Sequence, residues 1–414
     1  MDRVGTALIG CGKVGRAHAQ ALATLDESRF VAVYSRDPAR ARALAAEYGT
    51  RAYSDVGRLL QDPDVQMVCI CTPQYTHPQL AVACACAGKH ILVEKPMAID
   101  LNGCDDIIHA VDAAGVKLGV ISQRRLYEPV QRVKQALEAG KIGRPALGTL
   151  TVMGWRDEAY YRMDPWRGKW ACEGGGVLLT QTSHQIDLFQ WLMGPIEELF
   201  GYWANLNHPY IEVEDTAIAV LRFKGGALGT ILLSNSQKPG FYGKIHVHGD
   251  SGASVGVQTD GGSPFISGVT AAIDPPINDV WTVPGEEQLL AGWQAEDRAR
   301  GQRIDVMTHY HRLQIQDFLH AIIEDREPLL DGLEGRKHVE VFTAIYRSQR
   351  DGRPVRFPLD AAEGSEWFDG RLAPDSGEES HASPPNGGQT PRMGGIGAKC
   401  PVRGAKTPRA QADG

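Results

Sequence analysis

The first third of the chain alternates between short apolar segments and longer amphipathic ones. Apolar segments of strand length occupy residues 6–9, 30–34, 51–53, 66–71, 90–93 and 117–121. Helical periodicity fills residues 39–48, 56–60, 78–88 and 101–114 between them. Strands that alternate with helices form parallel sheets, because each crossover helix returns the chain to the same end of the sheet. The pattern therefore predicts a doubly wound α/β domain with a parallel sheet over residues 1–124.

After residue 124 the segments become longer, and polar and apolar residues alternate within them. A helical pattern at 128–139 precedes strand patterns at 147–155, 199–206, 216–223, 228–236 and 243–249. Further helical patterns cover residues 177–193, 310–323 and 335–348. Such alternation is typical of antiparallel strands with one buried face. We expect residues 125–360 to form an α+β domain with a large, mostly antiparallel sheet, whose open face is covered in a homodimer or homotetramer.

Two stretches lack any apolar period. Residues 361–414 are rich in Gly, Pro, Ser and charge, which predicts a disordered tail that is dispensable for activity. Residues 259–276 are also poor in pattern and could form a loop over a pocket.

Composition excludes several classes of protein. Of the 414 residues 43% are hydrophobic and 22% charged, and the net charge of -7 provides no broad basic field for nucleic acid or an anionic membrane. Apolar runs are too short to span a bilayer, and the N-terminus does not resemble a signal peptide, so we expect a cytoplasmic protein. The thinly spread cysteines indicate reduced thiols. Strand-like H-x-H pairs occur at His246/His248 and His309/His311, but no pattern of nearby carboxylates or cysteines completes a ligand set, so no metal site is predicted.

A glycine-rich turn joins the predicted strand 6–9 to the next helix. It reads Gly10, Cys11, Gly12, Lys13, Val14, Gly15. The first glycine allows the turn, the second lets backbone N–H groups reach a pyrophosphate, and the third lets helix and strand pack closely. A second strand follows at the spacing that a βαβ unit requires. The turn therefore predicts a Rossmann dinucleotide-binding site.

The end of the second strand bears on which dinucleotide binds. NAD-binding domains usually place an acidic residue there, whereas this chain has Ser35 and Arg36 after Tyr34. A carboxylate repels the 2′-phosphate of NADP, while a hydroxyl and a guanidinium bind it. Asp37 and Pro38 are predicted to start the next helix. The sequence favours NADP over NAD, with use of both left open.

Three further motifs make a family resemblance specific. They are Thr72-Pro73-x-x-x-His77, Glu94-Lys95-Pro96, and Gly174-Gly175-Gly176-x-x-x-Thr180-x-x-x-His184-x-x-Asp187. With the motifs in this order, the chain resembles the Gfo/Idh/MocA oxidoreductases, a family that includes glucose–fructose oxidoreductase and inositol dehydrogenase. The resemblance covers roughly residues 4–358. The resemblance implies a sugar, nucleotide-sugar, glycoside or cyclitol substrate and a cis peptide before Pro96. It also implies dinucleotide contacts from Thr72, Pro73, His77, Glu94 and Lys95.

Oxidation of an alcohol needs a hydride acceptor and a base for the hydroxyl proton. Lys95 directly follows a parallel strand, at the sheet edge where such folds bind ligands. His184 comes from the second domain. There Thr180, His184 and Asp187 are predicted to share one helix face. On that face Asp187 would either orient His184 or hydrogen-bond to nearby backbone. Many relatives carry Asp or Asn at position 180, and Thr cannot act as a carboxylate. Lys95 and His184 are therefore the predicted acid–base pair, and which of them is the principal base stays open.

Other candidate ligands are less specific. Gln123, Arg124 and Tyr127 follow the last strand of the first domain, where Gln123 could contact the cofactor and the other two the substrate. An aromatic and arginine cluster could stack on a sugar ring and bind phosphate or carboxylate, and it comprises Trp155, Arg156, Tyr160, Tyr161, Trp166, Arg167 and Trp170. His309 is a further candidate for hydrogen-bonding the substrate. Two alternatives remain at this point, a redox-neutral glycoside cleavage or epimerisation assisted by NAD, and a non-catalytic dinucleotide or sugar sensor. A sensor has no need for both Lys95 and His184.

Overall fold

A computed structural model describes residues 3–241, 243–259 and 275–359 of the chain. The predicted tail at 361–414 and most of the predicted loop at 259–276 lie outside these ranges. No helix within them combines the length and the apolarity needed to cross a membrane.

The first domain contains a six-stranded parallel sheet. Its strands are β1 (Val4–Ile9), β2 (Ser28–Tyr34), β3 (Arg51–Tyr53), β4 (Met67–Ile70), β5 (His90–Val93) and β6 (Leu118–Val120). They are arranged in the order β3-β2-β1-β4-β5-β6, and all neighbours are parallel. The intervening helices are α1 (Lys13–Thr24), α2 (Pro38–Tyr48), α3 (Val56–Leu60), α4 (His77–Cys86) and α5 (Leu101–Ala114). This strand order is that of the doubly wound dinucleotide-binding fold, so the predicted Rossmann architecture is confirmed.

The second domain is built on an eight-stranded sheet. Its strands are β7 (Pro145–Met153), β8 (Ile196–Ala204), β9 (Thr216–Phe223), β10 (Leu228–Ser234), β11 (Lys244–Gly249), β12 (Ser254–Gln258), β13 (Ile277–Trp281) and β14 (Val355–Arg356). The order is β13-β12-β11-β7-β10-β9-β8-β14, with β7 and β10 parallel and every other neighbouring pair antiparallel. The predicted large, mostly antiparallel sheet is confirmed.

Seven helices accompany this sheet in the described part of the chain. They are α6 (Glu128–Glu138), α7 (Glu158–Arg162), α8 (Trp170–Glu173), α9 (Ser183–Met193), α10 (Leu289–Gly301), α11 (Val306–Ile323) and α12 (Gly332–Asp351). The single helix predicted at 177–193 is wrong in detail, because a π-helical turn (Val177–Gln181) precedes α9. The strand-like spacing assigned to His309 and His311 is also wrong, since both lie on α11.

The last two helices return to the first domain, as the sequence suggested. Helix α11 packs against α1, and α12 packs against α5 and β8. The Gln314 side chain accepts a hydrogen bond from Ser122 N at 2.9 Å and donates one to Val120 O at 2.8 Å. A Cβ on Gly335 would lie 2.4 Å from a Val120 methyl group, so the glycine lets α12 approach β6 closely. These contacts fix the two domains on either side of a shared cavity.

Candidate active site

A cavity of about 1740 Å³ lies at the C-terminal edge of the parallel sheet and extends to the second domain. Most of the predicted ligands line it: Gly10, Cys11, Gly12, Lys13, Val14, Ser35, Arg36, Thr72, Pro73, Glu94, Lys95, Gln123, Arg124, Tyr127, Tyr160, Trp166, Arg167, Thr180 and His184. Arg156 of the predicted aromatic and arginine cluster lines it as well. Seven predicted ligands do not line it, namely Gly15, His77, Trp155, Tyr161, Trp170, Asp187 and His309. The cavity is therefore built by both domains.

The glycine turn forms one end of the cavity. Gly10 has φ 110°, and a Cβ on it would lie 2.6 Å from the Cys71 carbonyl oxygen. A Cβ on Gly15 would lie 2.0 Å from the Gly10 carbonyl oxygen, so Gly15 serves the packing of α1 on β1. Around Gly12, by contrast, nothing lies within 4 Å of the Cβ position. The N-terminus of α1 thus faces open space, which fits the pyrophosphate of a dinucleotide.

The rim beyond the end of β2 is cationic. Ser35, Arg36 and Arg40 line it, and the Arg36 side chain makes no hydrogen bond or ion pair with any residue of the described ranges. The Asp37 carboxylate accepts hydrogen bonds from Ala39 N at 2.9 Å and Arg40 N at 3.4 Å. Asp37 therefore caps α2, as predicted, and its charge is used at the helix N-terminus.

Lys95 lies in the turn that follows β5. The Lys95–Pro96 peptide is cis, as the family resemblance implies. The Lys95 ammonium group donates a hydrogen bond to the Thr180 carbonyl oxygen at 3.3 Å, and both residues line the cavity. This bond joins the first domain to the π-helical turn of the second.

A buried cluster of Glu94, His18 and His311 supports this turn. The Glu94 carboxylate lies 2.8 Å from His18 Nε2 and 3.4 Å from His311 Nε2, and it accepts a hydrogen bond from Lys95 N at 3.1 Å. Burial opposes ionisation, but the hydrogen bonds and charges of the two histidines hold the pKa of Glu94 well below its usual range. The three ligand atoms lie within 4.8 Å of one another, a grouping that could also hold a metal ion. The separation between Glu94 and His18 is that of a hydrogen bond.

His184 lies in the first turn of α9 and is buried at the cavity wall. Burial, followed by the positive charges of Lys95 and Arg124, lowers its pKa well below the usual value. Its Nδ1 atom has no hydrogen-bond partner among the residues that the structure describes. The lowered pKa favours the neutral form of the imidazole at neutral pH.

The triple-glycine segment positions Thr180. The Glu214 carboxylate accepts hydrogen bonds from Gly176 N at 2.9 Å and Leu178 N at 3.0 Å, and burial raises its pKa to about 7. A Cβ on Gly176 would lie 1.8 Å from the Glu214 carbonyl oxygen, and one on Gly175 would lie 2.1 Å from the Tyr346 hydroxyl oxygen. Glycines are therefore required for the segment to pack against Tyr346 and Glu214 directly before the π-helical turn.

The structure corrects the role predicted for Asp187. Its carboxylate is buried and accepts hydrogen bonds from Arg125 Nη2 at 2.6 Å and Nε at 2.9 Å, and also from the Ser122 hydroxyl. The predicted alignment with Thr180 and His184 required one continuous helix, and the π-helical turn breaks it. Asp187 therefore ties α9 to the segment after β6 and does not contact the cavity.

The other residues outside the cavity have structural partners. The His77 ring lies between the Thr72 and Pro96 carbonyl oxygens, at 2.8 and 3.0 Å, and so links the two turns. The Trp155 ring packs on His208, with centroids 5.3 Å apart, and the His309 ring packs on Tyr310 at 4.9 Å. Predicted contacts of His77 with cofactor, and of Trp155 and His309 with substrate, are not supported by these positions.

Several cavity residues were missed by the sequence analysis. Gln181 and Asn235 line the substrate side, and their amide oxygens, like that of Gln123, are buried without a hydrogen-bond partner in the described ranges. His311 reaches the cavity from α11, two residues after His309, where the sequence analysis placed a ligand. Asn235 directly follows β10, and no local pattern in the sequence identifies it as a cavity residue. Its position depends on how β10 pairs with strands far away in the sequence.

Comparison with known proteins agrees with this architecture. Residues 4–122 match the model of the Gfo/Idh/MocA oxidoreductase family with its NAD-binding Rossmann fold, and residues 130–255 match a Gfo/Idh/MocA C-terminal domain. The chain therefore belongs to the Gfo/Idh/MocA family of oxidoreductases.

Individual relatives show how the family is used. Myo-inositol 2-dehydrogenase of Thermotoga maritima is 34% identical over 255 residues, which cover 60% of this chain and 73% of the relative. The scyllo-inositol 2-dehydrogenase (NAD(+)) of Bacillus subtilis is 26% identical over 87% of this chain and 98% of its own. The solved WlbA dehydrogenase from Bordetella pertussis, in complex with NADH and UDP-GlcNAcA, has a TM-score of 0.76 and 32% identity, covering 87% of this chain and 99% of that one.

Proposed function

We propose that this protein is an NAD(P)-dependent dehydrogenase that oxidises a ring hydroxyl of a sugar, nucleotide sugar, glycoside or cyclitol, or reduces the corresponding ketone. One observation carries the proposal: Lys95 from one domain and a neutral His184 from the other line a single cavity, whose far end is a dinucleotide cradle. Relatives named for inositols and one solved with a nucleotide sugar support this range of substrates.

The two side chains divide the proton chemistry. A bound nicotinamide supplies the hydride acceptor for the carbinol carbon. The neutral His184 imidazole takes the hydroxyl proton, and the Lys95 ammonium group donates a hydrogen bond to the same oxygen as negative charge develops on it. In the reverse direction the protonated His184 returns the proton. The lowered pKa of His184 keeps its imidazole in the neutral form that can accept this proton.

Unpartnered acceptors on the cavity wall favour a ring that carries several hydroxyl groups. The amide oxygens of Gln123, Gln181 and Asn235 are buried without partners in the described part of the chain. A buried acceptor left unpaired costs about 1–3 kcal/mol. Hydroxyl donors of a polyol would satisfy these oxygens, whereas an apolar alcohol would not.

We infer that NADP is preferred over NAD. The support is the pair Ser35 and Arg36 at the end of β2, together with the engagement of Asp37 in capping α2. The scyllo-inositol 2-dehydrogenase of Bacillus subtilis is named for NAD(+) and the WlbA structure holds NADH, so this preference would distinguish the present chain from these two relatives.

We further infer that the outer face of the second sheet mediates self-association. Large apolar side chains stand exposed on neighbouring strands of that face, including Tyr202 (64%), Ile218 (49%), Val220 (56%) and Leu228 (55%). A contiguous apolar patch of this kind is typical of protein interfaces. A second copy of this chain would cover it in a homodimer or homotetramer.

Production of reduced dinucleotide tests the proposed reaction. The full-length protein is mixed with NAD or NADP and a panel of sugars, inositols, glycosides and nucleotide sugars, and the reduced nicotinamide band is followed. Accumulation of reduced dinucleotide in step with substrate loss supports the dehydrogenase. Substrate conversion without reduced dinucleotide would favour the redox-neutral alternative, and binding without conversion would favour the sensor.

A further inference from the structure

We infer that the substrate carries an oxyanion, a carboxylate or a phosphoryl group, which Arg167 and Arg156 bind at the second-domain end of the cavity. This inference rests on the proposed function and narrows its substrate class. The two arginines and Tyr160 between them are called the arginine site below.

Arg167 is held in place before any ligand arrives. Its Nε donates a hydrogen bond to the Asp164 carboxylate at 3.0 Å, and its Nη1 donates one to the Tyr160 hydroxyl oxygen at 2.6 Å. The guanidinium carbon lies 4.4 Å from the Trp166 ring centroid and 4.5 Å from that of Tyr160. Its Nη2 makes no hydrogen bond to the residues that the structure describes. A planar guanidinium fixed in this way offers a donor to an oxyanion with little loss of side-chain entropy.

The Tyr160 hydroxyl supplies a second donor. Its oxygen accepts hydrogen bonds from Arg167 Nη1 and from Gln181 Nε2, the latter at 3.1 Å. A phenol has one proton of its own, and neither of these bonds uses it. Burial raises the pKa of Tyr160, so the proton stays in place at neutral pH. The hydroxyl therefore needs an acceptor in the cavity, and a substrate oxyanion is one.

A chain of bonds connects the arginine site to the acid–base pair. Gln181 donates to Tyr160 and directly follows Thr180, whose carbonyl oxygen accepts the hydrogen bond of Lys95. An oxyanion bound by Arg167 and Tyr160 therefore holds the rest of the substrate next to Lys95 and His184. The site would orient the ring hydroxyl as well as bind the charge.

Arg156 adds a second positive charge on the same ring. Its backbone is fixed at both ends, since its N–H donates to the Asn235 carbonyl oxygen at 3.0 Å and its own carbonyl accepts from His208 Nε2 at 2.6 Å. Its guanidinium carbon lies 5.3 Å from the Tyr160 ring centroid. Both guanidinium groups therefore contact the Tyr160 ring, and an oxyanion bound beside this ring would be attracted by both charges.

The charge balance at this end of the cavity is positive. Four cationic side chains line it: Lys95, Arg124, Arg156 and Arg167. Two carboxylates at this end, Asp164 and Glu94, offset part of this charge, while burial raises the pKa of nearby Glu173 to about 7. This excess of cationic side chains attracts an oxyanion but not a neutral polyol.

Binding measurements on matched ligands test the inference. The full-length protein, saturated with dinucleotide, is titrated calorimetrically with glucose, glucuronate and glucose 6-phosphate, and with UDP-glucose and UDP-glucuronate. We expect at least one charged ligand to bind about tenfold or more tightly than neutral glucose, since a site built for charged hydrogen bonds rejects ligands that lack them. UDP-glucuronate is compared with UDP-glucose, which lacks only the carboxylate. Glucuronate and UDP-glucuronate report a carboxylate, while glucose 6-phosphate and UDP-glucose report a phosphoryl group.

Variants assign the preference to the arginine site. Arg167→Gln should bring the charged ligand to within about twofold of its neutral counterpart and leave the neutral ligand unchanged. Arg167→Lys, which keeps the charge but loses the planar fork, should fall between the two. Arg162→Gln removes the same charge from an exposed position on α7, outside the cavity, and serves as the control.

Three outcomes would overturn the inference: equal binding of charged and neutral ligands, binding of none of the charged ligands, or equal weakening of both by Arg167→Gln. The proposed function is judged separately, by dinucleotide reduction. Reduction with a neutral sugar that Arg167→Gln does not affect would keep the dehydrogenase and reject the oxyanion. Charge-selective binding that is lost in Arg167→Gln, together with no dinucleotide reduction by any substrate, would keep the oxyanion site and reject the dehydrogenase.

Discussion

The Lys95 ammonium group donates its hydrogen bond at 3.3 Å to the carbonyl oxygen of Thr180, a residue 85 positions later in the other domain. The acceptor is presented by a π-helical turn, where the i→i+4 pattern of an α-helix is interrupted. The amine is therefore placed by both domains together. Its position beside His184 depends on their docking, and this arrangement has consequences that can be measured.

The first consequence concerns pH. Burial and the cations Lys95 and Arg124 lower the pKa of His184, so its neutral form persists below 6.5, the ordinary histidine value. We expect kcat/KM for oxidation to stay high as pH falls through 6.5 and to decline only at the lower pKa of His184. Replacing Lys95 by Met removes one cation and should raise the pKa of His184, which NMR titration of the ring protons would detect. An acid limb at or above pH 6.5 in the wild type would contradict the assignment.

A second prediction concerns the glycine turn. Gly12→Ala places a methyl group in open space, so the melting temperature should change little. The methyl group would stand where the pyrophosphate approaches the backbone, and the dinucleotide Kd should rise by about tenfold or more. Gly225→Ala, also in open space but outside the cavity, is the matched control. Unchanged dinucleotide affinity in Gly12→Ala would show that the cradle does not bind phosphate.

Choice of cofactor depends on the rim after β2. Arg36→Gln removes a charged donor and should weaken NADP binding about tenfold, while NAD binding stays within about twofold. Ser35→Asp should shift the preference further toward NAD, because a carboxylate repels the 2′-phosphate. Arg42→Gln, an exposed change on α2 outside the cavity, should alter neither Kd. Equal effects of Arg36→Gln on both cofactors would refute the NADP preference.

Self-association is tested on the sheet face. Ile218→Lys puts a charge in the middle of the exposed apolar patch, and sedimentation should show conversion of the oligomer to monomers. Leu333→Lys changes an exposed leucine on α12, away from the sheet, and should leave the assembly intact. A wild-type monomer, or an Ile218→Lys variant of unchanged mass, would remove this face as the interface.

The sequence predicted best what neighbouring residues determine. Strand β1, the glycine turn and α1 are consecutive, and the predicted boundaries of β3, α3 and α5 agree with the structure. Prediction of the second sheet was less complete. Short strands β12 and β13 lie in glycine-rich or pattern-poor surroundings, and the parallel pairing of β7 with β10 joins segments far apart in sequence.

Errors at the site share one physical cause. The break before α9 arises because Glu214 binds the backbone N–H groups of Gly176 and Leu178, 38 and 36 residues away. Asp187 is held by Arg125, 62 residues away. Such partners cannot be identified from local periodicity, which treats each segment alone. The residue types at the site were therefore predicted better than their hydrogen-bond partners.

The central claim is that Lys95 and His184 perform proton chemistry on a substrate oxidised by a bound dinucleotide. It is tested most directly by measuring, in the same preparations, dinucleotide Kd and the rate of nicotinamide reduction for wild type, Lys95→Met and His184→Asn. We predict Kd values within about threefold of wild type and rates lower by about a hundredfold or more in each variant. Nicotinamide reduction at the wild-type rate in either variant would contradict the account.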